Sequence, residues 1–195
     1  MSEILDHIHE DHRNMVTLLD LLEGECRDLA SGVDHDYTLM TNIVDYFNHY
    51  PTLYHHPFED KVFAWICEER PTLTLIVKDL LVEHESQAKL VADVALLLKG
   101  IVTGHLVPRT KLVDELTSYI TVQREHISKE ENRLLKEVEG LLDGLHLAEI
   151  PMPDRAVLDP LFGEISSDEY SAIAVALGQS GSHPTRFEEN TRHKH

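Results

Sequence analysis

Apolar residues recur at intervals of three and four along four long stretches of the chain, which is the spacing of an amphipathic α-helix. The stretches run from about Glu3 to Ala30, Asp36 to Glu69, Pro71 to Thr103 and Arg109 to Leu142. Each is about 30 residues long, or about 45 Å of helix at 1.5 Å per residue. Because short turns rich in glycine and proline separate them, we expect antiparallel neighbours. The pattern predicts an all-α protein, an up-down-up-down antiparallel four-helix bundle.

The second stretch contains two prolines, Pro51 and Pro57. Each removes a backbone donor and clashes with the preceding turn of a helix. We therefore expect a kink or bulge between His49 and Phe58. A true break of the helix, with a loop in its place, is the alternative.

The helical pattern ends near Gly144, and three prolines then indicate an extended segment. A short helix is predicted from Ser167 to Leu177. Its apolar positions, expected to dock on the bundle, are Tyr170, Ile173, Ala174 and Leu177. The polar residues that follow predict disorder. The expected organisation is a bundle over residues 1–143, a C-terminal extension with a docking helix over 144–178, and a disordered tail over 179–195.

The charge of the chain restricts its partners. The formal net charge of −18 over 195 residues argues against nucleic acid or an anionic membrane surface. No apolar run approaches the roughly 20 residues that span a membrane, and the N-terminus lacks the features of a signal peptide. Cys26 and Cys67 have neither metal-binding nor redox spacing, which fits a reducing compartment. A cytoplasmic location is expected, and the oligomeric state is left open.

Histidines and carboxylates supply the candidate chemistry. One histidine of interest lies on each helical stretch, and two of the four are followed by a glutamate four residues later. Residues at this spacing lie on one face of a helix, so each such pair can offer a nitrogen and an oxygen to one point. The candidate metal ligands are His12, His55, Glu59, His84, His126 and Glu130.

These ligands fall at nearly the same level when they are counted from the turns. About 13 residues separate the turn near Pro71 from His84 on one side and from the His55–Glu59 pair on the other. The other two turns give similarly matched offsets. Imidazoles and carboxylates that converge inside a bundle predict a metal site holding two ions, for which iron, manganese and zinc are suitable. The alternative is four separate core histidines, each hydrogen-bonded to the backbone.

Four short motifs carry a resemblance to a known family. They are Asp11-His12-Arg13, His55-His56-Pro57-Phe58-Glu59-Asp60, Glu83-His84-Glu85 and His126-Ile127-Ser128-Lys129-Glu130-Glu131. With them the chain resembles the hemerythrin-like (HHE cation-binding) family from about Ile4 to Leu142. The segment Asp159–Gly163 also resembles an extension of longer members. The resemblance implies a carboxylate-bridged, non-haem di-iron centre, with the four histidines as terminal ligands and Glu59 and Glu130 as bridges.

One position departs from the oxygen-carrying members of that family, which have a second histidine four residues after the first on the third helix. Here Ala88 follows His84 at that distance. The resemblance is therefore to the four-histidine, two-carboxylate type, whose coordination is more open. It implies a protein that binds iron and binds or reacts with oxygen, peroxide or nitric oxide, in oxidative or nitrosative stress or iron homeostasis. The alternatives are a non-catalytic iron donor or redox sensor that acts through a protein partner, and a metal-free interaction protein.

Several side chains near the candidate ligands are expected to support them or to lie in solvent. The candidates for hydrogen bonding to the ligands are Tyr54, Tyr119 and His56. His56 points about 100° away from His55 around the helix and is also an alternative ligand. His7 and His9 are expected to be solvated or hydrogen-bonded behind the ligands. Asp60 and Glu131 are expected to be solvent-facing charges.

Overall fold

The computed structural model describes residues 3–139, 150–151, 153–154, 158–163 and 168–179. Helices, and no strands, form the regular structure of these residues, so the predicted all-α class is confirmed. The α-helices are α1 (Glu3–Ser31), α2 (Tyr37–Tyr50), α3 (His56–Glu69), α4 (Thr74–Val102), α5 (Arg109–Lys129), α6 (Lys136–Val138) and α7 (Ser171–Gln179). None of the helices in this part of the chain is both long and apolar enough to cross a membrane.

The second arm of the bundle is one helical path in which a π-helical segment, Pro51–His55, joins α2 to α3. The His56 N–H donates to the Pro51 carbonyl five residues back, and the Thr52 hydroxyl donates to the Phe47 carbonyl at 3.1 Å. The π segment therefore accommodates both prolines without a loop. The predicted bulge is confirmed, and the alternative of a broken helix is wrong.

A second π-helical segment, Glu130–Leu135, joins α5 to the short helix α6. These three elements together form the fourth arm of the bundle, α1 and α4 being the first and third. The sequence pattern gives no sign of this segment, because it contains no proline or glycine to interrupt the helical periodicity. Each π segment adjoins a histidine–glutamate pair, the first on its N-terminal side and the second on its C-terminal side. His55 ends the first and Glu130 begins the second, and π-helical turns are frequent at functional sites.

The four arms pack as a ring, with α1 against α2 and α5, and α4 against α2, α3 and α5. The turn between α1 and α2 uses Gly32 at φ +72°, and the Asp36 side chain then caps α2 by accepting from the N–H groups of Thr38 and Leu39. Gly104 has φ +92° in the turn between α4 and α5. Short turns of this kind keep neighbouring arms antiparallel.

The interior contains two apolar clusters. The larger is built mainly from the second half of α1, from α2, and from the facing halves of α4 and α5. The smaller lies at the opposite end of the bundle; its buried members include Ile8, Phe58, Phe63, Leu80 and Leu134. His12 lies in sequence between Ile8 of the smaller cluster and Met15 of the larger. The candidate ligands thus form a polar layer between two apolar cores.

The described part of the C-terminal extension packs on α2. Tyr170, Ile173 and Leu177 are buried as predicted, whereas Ala174 is exposed because it lies on the outer face of α7. Asp159 is also buried; it accepts from the N–H groups of Leu161 and Phe162 and from the Tyr46 hydroxyl at 3.2 Å. The predicted helix start at Ser167, the boundary near residue 143 and most of the predicted disordered tail lie outside the described residues.

We predict that Ile173→Ala lowers the free energy of unfolding of the full chain by about 2–4 kcal/mol. The Ile173 side chain is 0% exposed, so truncating it leaves a cavity between α7 and the bundle. Val175→Ala, two residues away on the same helix and 59% exposed, should change that free energy by no more than about 0.5 kcal/mol. Urea unfolding followed by circular dichroism measures both. Equal losses in the two variants would contradict the docked position of α7.

Candidate metal centre

The structure brings the six residues predicted as ligands into one buried layer. They come from four arms: His12 from α1, His55 and Glu59 from the second arm, His84 from α4, and His126 and Glu130 from the fourth arm. Every one of the six is buried. Six ionisable side chains in a bundle interior require partners, because burying an unpaired charge is costly.

Glu59 faces three imidazole nitrogens. Its Oε1 lies 3.2 Å from His12 Nε2, and its Oε2 lies 3.3 Å from His55 Nε2 and 3.5 Å from His84 Nε2. These three histidines belong to three different arms. The carboxylate therefore lies where three arms of the bundle meet.

Glu130 has a matching environment from the opposite side. Its Oε2 lies 3.3 Å from His12 Nε2, and its Oε1 lies 3.3 Å from His84 Nε2 and 3.2 Å from His126 Nε2. The two carboxylates share His12 and His84 as neighbours, while His55 and His126 each face only one of them. The arrangement is a pair of carboxylates between imidazoles, with each Nε2 directed inward.

The opposite nitrogen, Nδ1, of each of these histidines is paired with a carboxylate on a neighbouring arm. The pairs are His55 with Asp11 (3.0 Å), His84 with Asp60 (2.7 Å), His126 with Glu83 (2.8 Å) and His12 with Glu131 (2.6 Å). A neutral imidazole that donates its Nδ1–H in this way keeps the lone pair on Nε2. Such carboxylate–histidine pairs are the usual support of histidine metal ligands.

Each supporting carboxylate is adjacent in sequence to a candidate ligand. Asp60 and Glu131 were expected to be solvent-facing, and their side chains are indeed 44% and 29% exposed. Each nevertheless also pairs with a candidate ligand, because a residue next to an inward-facing ligand turns about 100° around the helix and reaches the neighbouring arm. Asp11 and Glu83 were not assigned a role from the sequence. The signal that could have found all four is the acidic residue directly beside a candidate ligand on every arm.

Charge interactions fix the protonation of the metal-free layer. Burial alone lowers the pKa of a histidine, but the contacts of His55 with Glu59 and Asp11 raise its pKa to about 9. Burial acts likewise on His84, and its contacts with Asp60, Glu130 and Glu59 raise the pKa to about 10. Burial raises the pKa of Glu59, yet the facing histidines hold it below its ordinary value. Without a metal, imidazolium groups therefore balance ionised carboxylates.

Several inward-facing atoms lack a hydrogen bond even so. Within the described part of the chain, these atoms are His12 Nε2, His126 Nε2, both carboxylate oxygens of Glu59 and Oε2 of Glu130. A cation bound in the layer would coordinate lone pairs that are otherwise unsatisfied. Imidazole nitrogen with carboxylate oxygen is a donor set that suits iron, manganese or zinc. The residues present fit such an ion.

A helical bundle with an interior layer of imidazoles and carboxylates is typical of cation-binding helical domains. The chain belongs to the hemerythrin HHE cation-binding domain family, whose family model matches residues 3–138. No curated protein and no solved structure matches the chain. The resemblance inferred from the sequence motifs is therefore confirmed at the level of the family, and the four-histidine, two-carboxylate type stays a prediction.

The residues expected to support the ligands differ in their placement. His56 is buried and its ring contacts His84. The ring of Tyr54 packs against Tyr50 at a centroid distance of 6.1 Å. Tyr119 is buried beside Phe47, and its hydroxyl makes no hydrogen bond within the described residues. Of these three, only His56 contacts a candidate ligand through its ring.

His7 and His9 lie behind the layer. His9 Nδ1 is 2.8 Å from Glu131, and His7 Nε2 is 3.5 Å from Asp11. Both histidines therefore contact a carboxylate that supports a candidate ligand. Of the two alternatives given for them, hydrogen bonding behind the ligands is the one that the geometry favours.

We predict that Asp11→Asn weakens metal binding by about 10- to 100-fold, because the neutral amide supports the His55 imidazole less strongly than a carboxylate does. Competition against a chromophoric chelator, under anaerobic conditions with Fe(II), measures this affinity. Asp6→Asn, at an exposed position of the same helix, is the matched control and should leave it unchanged. Equal affinities in both variants would remove Asp11 from the support of the site.

We also predict that metal binding releases protons at pH 7. The pKa values of about 9 for His55 and about 10 for His84 mean that both side chains are imidazolium ions in the metal-free chain at pH 7. A bound ion needs the neutral imidazole, so each must lose one proton. The affinity should therefore rise as the pH increases from 6 towards 9. Calorimetric titration in buffers of different ionisation enthalpy measures the released protons, and a heat independent of the buffer would contradict the prediction.

Proposed function

We propose that this chain is a non-haem di-iron protein of the hemerythrin type, which binds a small diatomic ligand or a peroxide at its centre. The terminal ligands would be His12, His55, His84 and His126, and the bridging carboxylates would be Glu59 and Glu130. The observation that carries the proposal is the position of the two carboxylates, each within 3.5 Å of three inward-facing imidazole nitrogens.

The grouping of donors supports two ions over one. His12, His55 and Glu59 can offer three ligand atoms within 4.8 Å of one another, and Glu59, His84 and Glu130 form a second such group. Because Glu59 belongs to both groups, its two oxygens are suited to bridging. Iron is the metal we propose, and manganese or zinc could occupy the same donor set.

The surroundings of the layer suit a small uncharged or weakly hydrated ligand. Apolar clusters lie on both sides of the layer, and the six candidate ligands are at most 5% exposed. Bound iron would supply coordination positions for the small molecule and a change of redox state. The chain's own part is to orient the imidazoles through their carboxylate partners, so that each Nε2 faces the ion, and to surround the ion with apolar side chains. We place this activity in the response to oxidative or nitrosative stress or in iron homeostasis.

Metal analysis tests the proposal directly. We expect about two irons per chain after anaerobic reconstitution with Fe(II) of untagged protein, as the donor groups imply. His84→Ala should lose at least one iron, because His84 faces both carboxylates. His49→Ala, at an exposed position, is the matched control and should retain both.

Stopped-flow mixing of the loaded protein with oxygen, peroxide or nitric oxide then distinguishes repeated turnover from binding alone. An iron-free chain after reconstitution, or unchanged iron content in the His84 variant, would overturn the di-iron proposal. Two irons without a response to any of the three small molecules would overturn the proposed ligand class and favour an iron donor.

A further inference from the structure

His56 differs from every other histidine of the buried layer in the way its ring is held. Its side chain is only 6% exposed, yet its ring makes no hydrogen bond to another described residue. The ring stacks on His84 with a centroid distance of 4.2 Å and lies 5.8 Å from His126 and 5.7 Å from His55.

Packing alone does not explain an imidazole in this place. An apolar ring would fill the same space beside His84, but it would offer no nitrogen to the imidazoles around it. A neutral imidazole binds a metal ion through the lone pair of one ring nitrogen.

The geometry gives His56 a defined metal-binding group. His56, His84 and His126 can each offer one nitrogen, and these atoms lie within 4.8 Å of one another. Three nitrogens bound to one ion at about 2.1 Å cannot all lie opposite one another, and neighbouring nitrogens are then about 3.0–3.4 Å apart. The group therefore needs to contract by up to about 2 Å. Because the His56 ring lies parallel to the His84 ring, it also has to rotate about its broad terminal torsion before both nitrogens face one ion.

We propose that His56 is a third histidine ligand of the metal ion that His84 and His126 bind. This inference rests on the proposed di-iron function and makes the two metal positions inequivalent. One ion would have His12 and His55 as its histidine ligands, and the other would have three histidines. Consecutive side chains on a helix point about 100° apart, so His55 and His56 are directed to different ions. The third histidine comes from α3, whereas α4 has Ala88 where a second histidine would stand.

Anaerobic titration with Co(II), followed by visible absorption, tests this assignment in the full chain. The wild-type chain should bind two Co(II) ions. His56→Ala should weaken one of them by at least about tenfold and alter its absorption, while the other keeps its affinity. Added imidazole should restore the weakened ion, whereas pyrrole, a ring of similar size without a basic nitrogen, can fill the cavity but should not restore it. His56→Gln, which keeps most of the side-chain volume, is the second variant if His56→Ala fails to fold.

His49→Ala serves as the control and should bind both ions with wild-type affinity. Two ions of unchanged affinity and spectrum in the His56 variants would overturn the third-ligand assignment and leave the di-metal proposal intact. Weakened binding that imidazole does not restore would also overturn it, because that result assigns His56 to packing. A wild-type chain that binds no Co(II) and no Fe(II) would overturn the proposed function itself.

Discussion

Four hydrogen bonds between carboxylates and imidazoles, each joining one arm of the bundle to the next, hold the interior together. Asp11 of α1 pairs with His55, Asp60 of α3 with His84, Glu83 of α4 with His126, and Glu131 of the fourth arm with His12. The pairs close a ring around the bundle. Because each bond joins a buried imidazole to a carboxylate of the next arm at 2.6–3.0 Å, the ring constrains the relative height of all four arms.

The two π-helical segments follow from the demands on the second and fourth arms. Each of these arms must direct a histidine and a glutamate inward and the next acidic residue sideways, whereas α1 and α4 each direct one histidine inward with a supporting acid before it. The segments lie beside those histidine–glutamate pairs, at Pro51–His55 and Glu130–Leu135. A local change of helical pitch re-aims side chains without interrupting the helix. The arms that supply carboxylates to the layer are the ones that deviate from α-helical geometry.

The sequence predicts most of this arrangement because helical periodicity and the level of residues in a bundle are one-dimensional properties. Counting from the turns places His12, His84 and the two histidine–glutamate pairs together. The direction of a side chain around its helix is a three-dimensional property, so Asp60 and Glu131 could not be distinguished from surface charges. The first π segment has Pro51 as its signal. The second has none, because its cause is the packing around Glu130.

The C-terminal extension is hydrogen-bonded to a face of α2 whose next tyrosine contacts the candidate metal centre. The Tyr46 hydroxyl donates to Asp159, and one turn further along, the Tyr50 hydroxyl donates to Asp11, which also accepts from His55. Burial raises the pKa of Asp159 to about 6, although backbone N–H donors act in the opposite direction. The tyrosine rings lie 5.9 Å apart. Packing of the extension therefore restrains the helix that carries His55, since both buried tyrosines are fixed at their hydroxyl ends.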